Sequence, residues 1–170
     1  MASQLTTGRF TLDRAGSSIA LRHKTLWGLT TVRGDFGSVT GSGEIAADGT
    51  GSGSLAVDAA SLDTKHAKRD KHLRSNDFFD AEAFPAITFT AARITATGEG
   101  AAQVEGELTV RDTTRGLSFP ARVEQQGTDA VVLRASVEID RADFGMTWNQ
   151  LGMLKGNATI ELQLRFTAAN

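Results

Sequence analysis

Thr159-Ile160-Glu161-Leu162-Gln163-Leu164-Arg165-Phe166 alternates strictly between polar and apolar side chains. Successive side chains of an extended strand point to opposite faces, so this run buries one face and wets the other. A helix would need apolar positions three and four apart, which the run lacks. The same alternation recurs in Gln103-Val104-Glu105-Gly106-Glu107-Leu108-Thr109-Val110-Arg111, in Thr88-Phe89-Thr90-Ala91, in Ser18-Ile19-Ala20-Leu21-Arg22 and in Ser136-Val137-Glu138-Ile139-Asp140.

Turn chemistry separates these runs. Asp48-Gly49 with Gly51-Ser52-Gly53 joins two of them, Thr97-Gly98-Glu99-Gly100 two more, and Gln126-Gly127-Thr128-Asp129 another pair. Gly41-Ser42-Gly43 also reads as turn material. The strands predicted this way run at roughly 8–13, 17–25, 31–46, 52–60, 85–97, 102–112, 117–126, 130–141 and 157–167. At ~3.3 Å per residue the longest span about 30–40 Å. Long antiparallel strands in one small domain close into a barrel, because closure removes the exposed edges. The fold class is therefore all-β and antiparallel.

One segment breaks the pattern. Residues 63–79 read as helical, with Asp63 or Thr64 as N-cap and Leu73, Phe78 and Phe79 turned toward the barrel. Ser75 or Asn76 would cap a second short helix, and Pro85 opens the next strand. Thr25-Leu26-Trp27-Gly28-Leu29 reads as a helical turn, and 146–155 as the link between the last two strands.

Composition narrows the function. The 170 residues make one domain, 1–170, that buries roughly 70% of its unfolded surface. With 18 basic and 20 acidic residues the net charge is -2, which gives no general attraction to nucleic acid or to anionic membranes. Tyr is absent and aromatics are 6%, so base-stacking platforms are not expected. Absence of Cys excludes disulfides, thiolate metal sites and cysteine nucleophiles. No stretch approaches the roughly 20 apolar residues of a membrane helix, so stable membrane insertion is not expected. The opening residues lack a basic stretch followed by an apolar one, which predicts a cytoplasmic location.

Catalytic templates are missing too. The carboxylates are scattered, and no nucleophile elbow, phosphate loop or dinucleotide fingerprint occurs. His66 and Asp70 share a helical face as a partial metal site, but Lys65, Lys68, Arg69 and Lys71 around them read as a solvated charged helix; no metal is predicted. His23 falls on the same face as Ile19 and Leu21, either as a satisfied core histidine or as the polar end of a cavity.

The inward positions form an apolar set: Ile19, Leu21, Val32, Phe36, Phe89, Leu108, Val110, Leu133, Phe144, Met146, Trp148, Leu162, Leu164 and Phe166. A barrel of about eight strands holds either its own side chains or one small ligand. Small inward residues, Ala91, Gly106 and Ala135, leave room for a cavity.

Ordered blocks along nearly the whole chain, from Phe10 to Phe166, resemble the YceI-like family of bacterial polyisoprenoid-binding, lipocalin-like proteins. They begin with Leu12-Asp13, Ser17-Ser18-Ile19, Arg22-His23 and Val32-Arg33-Gly34-Asp35-Phe36. The most specific block is Ser61-Leu62-Asp63-Thr64, then Arg69-Asp70-Lys71-His72-Leu73, Ser75, Asp77-Phe78-Phe79-Asp80 and Phe84-Pro85. Gly106-Glu107-Leu108-Thr109-Val110-Arg111, Thr113-Thr114-Arg115, Ile139-Asp140-Arg141 and Asp143-Phe144-Gly145 complete it. Asp112 stands where the family often carries Gly.

The resemblance implies an eight-stranded lipocalin-like barrel with the 63–79 segment across one opening. It implies no cofactor but a long apolar ligand, a polyisoprenoid or isoprenoid quinone, against Ile19, Leu21, His23, Phe36, Phe89, Leu108, Leu133, Phe144, Met146, Trp148, Leu162 and Leu164. His23, Arg22 or Arg141 would hold its polar head, and the implied state is a homodimer. The expected role is to bind, sequester or carry this lipid without chemistry. The alternatives are a cavity enzyme that cyclises or isomerises an apolar substrate, and a stress or interaction protein with a collapsed lumen.

Overall fold

A computed structural model describes residues 7–149 and 152–169. Its strands are β1 (Gly8–Leu12), β2 (Ser18–Thr25), β3 (Thr30–Phe36), β4 (Val39–Ile45), β5 (Gly51–Asp58) and β6 (Leu62–Asp63), followed by β7 (Ala86–Gly98), β8 (Ala101–Val110), β9 (Thr113–Gln126), β10 (Ala130–Ile139) and β11 (Lys155–Ala168). One α-helix, α1 (Ala67–Arg74), lies between β6 and β7.

All pairings are antiparallel. The order β1-β4-β5-β7-β8-β9-β10-β11 closes on itself when Phe10 to Leu12 of β1 pair with Phe166 to Ala168 of β11. This makes an eight-stranded closed barrel. β2 and β3 continue β1 and β4 toward the α1 end: β2 shares one edge of β11 with β1, and β3 pairs with β2. The two predicted strands at 8–13 and 17–25 are thus one barrel strand interrupted by a 3-10 turn at Arg14–Gly16. Asp13 caps that turn and pairs with Arg165 at 2.5 Å.

The 31–46 run is two strands rather than one. It breaks at Gly37 and Ser38, where Gly37 N–H turns to the carbonyl of Ser61 at 3.2 Å. The two-residue β6, which pairs with Asp35 and Phe36, straddles the start of the segment 63–79 predicted as helical and was not expected as a strand.

Gly41-Ser42-Gly43 and Gly51-Ser52-Gly53 are strand interior, not turns: Gly43 pairs with Gly53. A Cβ on Gly53 would lie 2.7 Å from the Ser42 carbonyl, and one on Gly41 2.7 Å from the Leu55 side chain. Glycine is used here for close approach, and the turn itself is Ala46 to Thr50.

The helix is shorter than predicted. His66, not Asp63 or Thr64, is the N-cap, its Nδ1 accepting from Arg69 N–H at 3.2 Å. Asp63 instead accepts from Lys65 N–H at 2.8 Å, and Thr64 N–H donates to the buried Asp70 at 3.0 Å. The second helix does not form. Residues 75–84 are successive turns, with Phe79 N–H to Leu73 O and Ala81 N–H to Arg74 O. At 25–29 the expected helical turn is a 3-10 turn, Leu26–Gly28, with Leu26 and Trp27 at positive φ. In the link 146–155, residues 150 and 151 lie outside the described residues, as does the chain start at 1–6.

Candidate functional site

Alternation carries the apolar residues of each strand into the barrel. Ile160, Leu162, Leu164 and Phe166 of β11 face Leu133, Val137 and Ile139 of β10 around a common interior. On β7 a bulge between Ala91 and Arg93 shifts the parity, so that Ile87, Phe89 and Ala91 point inward first and Ile94 and Ala96 afterwards. Ala96, Ala102 and Ala121 sit abreast on β7, β8 and β9. Small side chains at that level leave space that larger ones would fill.

The result is a lumen of about 730 Å³. Its wall is overwhelmingly aliphatic and aromatic. Of the residues the sequence placed at the site, Ile19, Leu21, His23, Phe36, Phe89, Leu108, Leu133, Met146, Trp148, Leu162 and Leu164 line it. Phe144 does not. It is buried in the adjoining core from a 3-10 turn, Arg141–Phe144, after β10 has ended. Strand parity cannot be projected into that turn, which Arg111 and Arg115 of the β8–β9 hairpin hold through the carbonyls of Gly145 and Asp143.

The residues expected from the sequence leave out part of the lining. Leu55, Leu117, Phe119, Val123, Val137 and Ile160 all line the lumen. Alternation in β9 (Leu117, Phe119, Ala121, Val123) was the available signal.

The two ends of the lumen are built differently. At the hairpin end Phe10, Ile45 and Val131 form a small core with Val123 and Phe166. At the α1 end the rings of His72, Phe78 and Trp148 meet edge to face, with Trp148 centred 4.5 Å from His72 and 5.5 Å from Phe78. Phe36 and Phe79 make a second T-shaped pair at 6.1 Å. Leu73, Phe78 and Phe79 face the lumen as expected.

Hydrogen bonds fix this α1 end. Asp70, 7% exposed, accepts the N–H and the hydroxyl of Thr64, and Arg69 donates to the Thr64 hydroxyl and carbonyl at 2.8 Å each. Arg141 donates one nitrogen to the carbonyls of Met146 and Trp148, at 2.5 and 2.7 Å. Burial pushes the Arg141 guanidinium below its usual range, with Asp140 opposing the shift. Arg22 points the other way, onto the outer surface, where it pairs with Glu161 at 2.6 Å. It cannot reach a head group in the lumen.

Polar lining residues divide by end. Glu44, Glu99 and Glu124 belong to the hairpin end, whereas His23, Thr64, Arg69, His72 and Arg141 belong to the α1 end. The two histidines of the charged segment have local partners: His66 caps the helix and His72 meets Asp77 at 2.9 Å. Among the described residues no three His, Cys, Asp or Glu side chains are grouped as metal ligands.

A closed antiparallel barrel of eight strands around an apolar lumen, with one helix across an end, defines a lipocalin-like barrel. Residues 10–168 match the family model of the YceI-like domain, and the chain belongs to that family. A UPF0312 protein of Vibrio vulnificus is 32% identical over 126 residues, covering 71% of this chain and 65% of that protein. The chain thus spans somewhat less than two thirds of that relative. One from Pseudomonas putida is 34% identical over 98 residues, or 55% of this chain and 51% of that one. Among solved structures, BcnA of Burkholderia cenocepacia superposes with a TM-score of 0.83 at 21% identity, over 91% of this chain and 98% of that one. A polyisoprenoid binding domain from Saccharophagus degradans, implicated in plant cell wall breakdown, gives 0.75 at 17% identity, over 94% and 98%.

Proposed function

We propose that this protein binds and carries a long apolar chain, an isoprenoid or a similar lipid, in the barrel lumen, and performs no chemistry on it. The observation that carries this is the 730 Å³ lumen, walled almost wholly by hydrophobic side chains. A well-packed core of this size would not keep such a space. The polyisoprenoid-binding description of the structurally similar domain from Saccharophagus degradans supports the same ligand class.

The volume sets the ligand's size. At roughly 27 Å³ per chain carbon at interior packing density, 730 Å³ holds about 25 carbons, or about five prenyl units. Each buried carbon contributes roughly 0.8 kcal/mol, less the cost of ordering a flexible chain. In this reading the ligand's head meets the cationic end of the lumen, with Arg69 and Arg141, and its tail runs toward the hairpin end, whose polar lining residues include the carboxylates Glu44, Glu99 and Glu124.

Titration with prenols of two to eight units tests this. Affinity should climb with each unit and level off near five. Affinity independent of length would overturn it. Native mass spectrometry of the freshly purified protein, followed by organic extraction, should show a discrete apolar adduct.

A further inference from the structure

Leu26, Trp27 and Leu29 are the exposed large hydrophobic side chains among the described residues, at 41%, 53% and 83%, and all three sit on the turn between β2 and β3. Single apolar side chains on a surface are ordinary, but three within four consecutive residues make a patch. The tip is also held in a costly shape. Leu26 and Trp27 both adopt positive φ, 50° and 56°, which residues with a Cβ rarely do. Burial does not account for that, since both side chains stay exposed. Trp27 N–H donates to the Met153 carbonyl at 3.0 Å, and Leu29 N–H to the Leu26 carbonyl at 3.1 Å. Thr25, which precedes the tip, and Met153, which holds it, both line the lumen. The patch therefore stands beside the α1 end of the lumen.

Charge along the segments that build the tip is of one sign. No Asp or Glu occurs in 14–34 or in 144–160. Arg22 and Arg33 share Glu161, at 2.6 and 3.3 Å, whereas Lys24 is exposed beside the tip and stands in register with Lys155. All five lysines of the chain, Lys24, Lys65, Lys68, Lys71 and Lys155, belong to this end, so the net charge of -2 hides an uneven distribution. Lys68 and Lys71 are exposed one turn apart on α1, whose own carboxylate, Asp70, is buried against Thr64. The carboxylates Asp80, Glu82, Asp112, Asp140 and Asp143 lie on the other connections at this end.

An apolar tip flanked by lysine matches the interface of an anionic bilayer, where Trp and Leu enter the headgroup layer and lysines meet phosphates. A second copy of the chain fits worse. In a twofold contact the tip would meet the same tip, and Lys24 would meet like charge.

We propose that the Leu26–Leu29 tip docks this protein on an anionic lipid surface: Leu26, Trp27 and Leu29 enter the interface, Lys24 and the α1 lysines meet the lipid phosphates, and the α1 end of the lumen is brought to the bilayer that supplies its ligand. Only the last clause rests on the carriage of an apolar chain proposed above. Docking is peripheral and reversible, as a short apolar tip with a few lysines allows.

The test is co-sedimentation with vesicles of phosphatidylcholine alone or of equal parts phosphatidylcholine and phosphatidylglycerol. Each lysine near an anionic surface contributes roughly fivefold, so wild type should prefer the anionic vesicles by at least that factor and should lose the preference as salt rises. Trp27→Ala with Leu29→Ser should weaken binding to anionic vesicles at least about tenfold, the least that burying one Leu contributes. Lys24→Gln should cost roughly fivefold on anionic vesicles and nothing on neutral ones. Prenol affinity should stay as in wild type in both variants, because none of these side chains lines the lumen. The comparison of lipids and of salt needs no variant to fold. Wild type that ignores anionic vesicles overturns docking, and a dimer that the double variant dissociates would then assign the tip to a second copy. Vesicle binding that survives in the double variant overturns the role of the tip. Docking without prenol binding leaves this inference standing and fells the carriage reading; prenol binding without docking does the reverse.

Discussion

Filling the tail end of the lumen should shorten the longest ligand it can hold. Ala102 is 5% exposed, lines the lumen, and is flanked by Ala96 and Ala121 on its two neighbouring strands. Its side chain already points inward, so the ring of Ala102→Phe has only the lumen to enter. Phe adds six carbons to Ala. At roughly 27 Å³ each they take about 160 Å³ of the 730 Å³ available, a little more than one prenyl unit. Expelling five carbons of a full-length chain forfeits about 4 kcal/mol of burial, and regained motion of the freed end returns about half. A net 2 kcal/mol is about 30-fold in affinity. A three-unit chain, which does not reach that level, should bind as before. Competition binding with three- and five-unit prenols reads the difference, and a denaturant melt accounts for the roughly 1–3 kcal/mol that overpacking can cost the fold. Equal weakening of both chains would refute the placement of the tail at the hairpin end. No change in either would refute the lumen as the binding site.

Three further outcomes are expected. Gly106→Ala would put a Cβ 2.2 Å from the Thr90 carbonyl and 2.8 Å from the Phe89 ring, so the sheet must move; unfolding in denaturant should show a loss of about 3 kcal/mol. Asp70→Ala strips the buried Thr64 N–H of its acceptor and should cost about 2 kcal/mol, whereas Asp70→Asn, which keeps a carbonyl, should cost less; equal losses would mean the carboxylate does not act as this acceptor. Lys65 N–H and then its ammonium hold the Asp63 carboxyl below its usual 3.8, as the Thr50 hydroxyl and N–H do for Asp48. Carboxylates lowered in the folded state stabilise it above 3.8 and lose that contribution as pH falls through their folded values. The Asp48→Asn, Asp63→Asn double variant should therefore show a shallower loss of thermal stability below that pH than wild type, and an unchanged acid limb would count against it.

Much of the barrel was legible because a half-buried strand writes its inner face into every second residue. That local rule found the strand containing Thr159–Phe166, and it placed Leu108, Leu133, Leu162 and Leu164 against the lumen from a single sequence. It failed where the backbone departs from a plain pleat. Phe144 sits on a turn, where parity has no meaning. Gly41 and Gly53 look like turn residues, yet they sit inside strands, where the paired strand comes too close to leave room for a Cβ. The helix cap went to His66 because Asp63 and Thr64 were drawn into other bonds, which propensity alone cannot weigh.

Side-chain alternation and turn chemistry act between near neighbours, so most of the strands, and the apolar side of each, can be read along the chain. The sequence also carried the blocks by which the family resemblance was read. Tertiary structure alone decided closure. Phe10 meets Ala168 across almost the whole chain, and no local pattern encodes that pairing. The same distance dependence governs the site. Arg22 and His23 are adjacent in the chain, but the pleat sends Arg22 out to Glu161 and His23 into the lumen. Which side chains meet there depends on what the far strands bring, and only the folded chain assembles those strands.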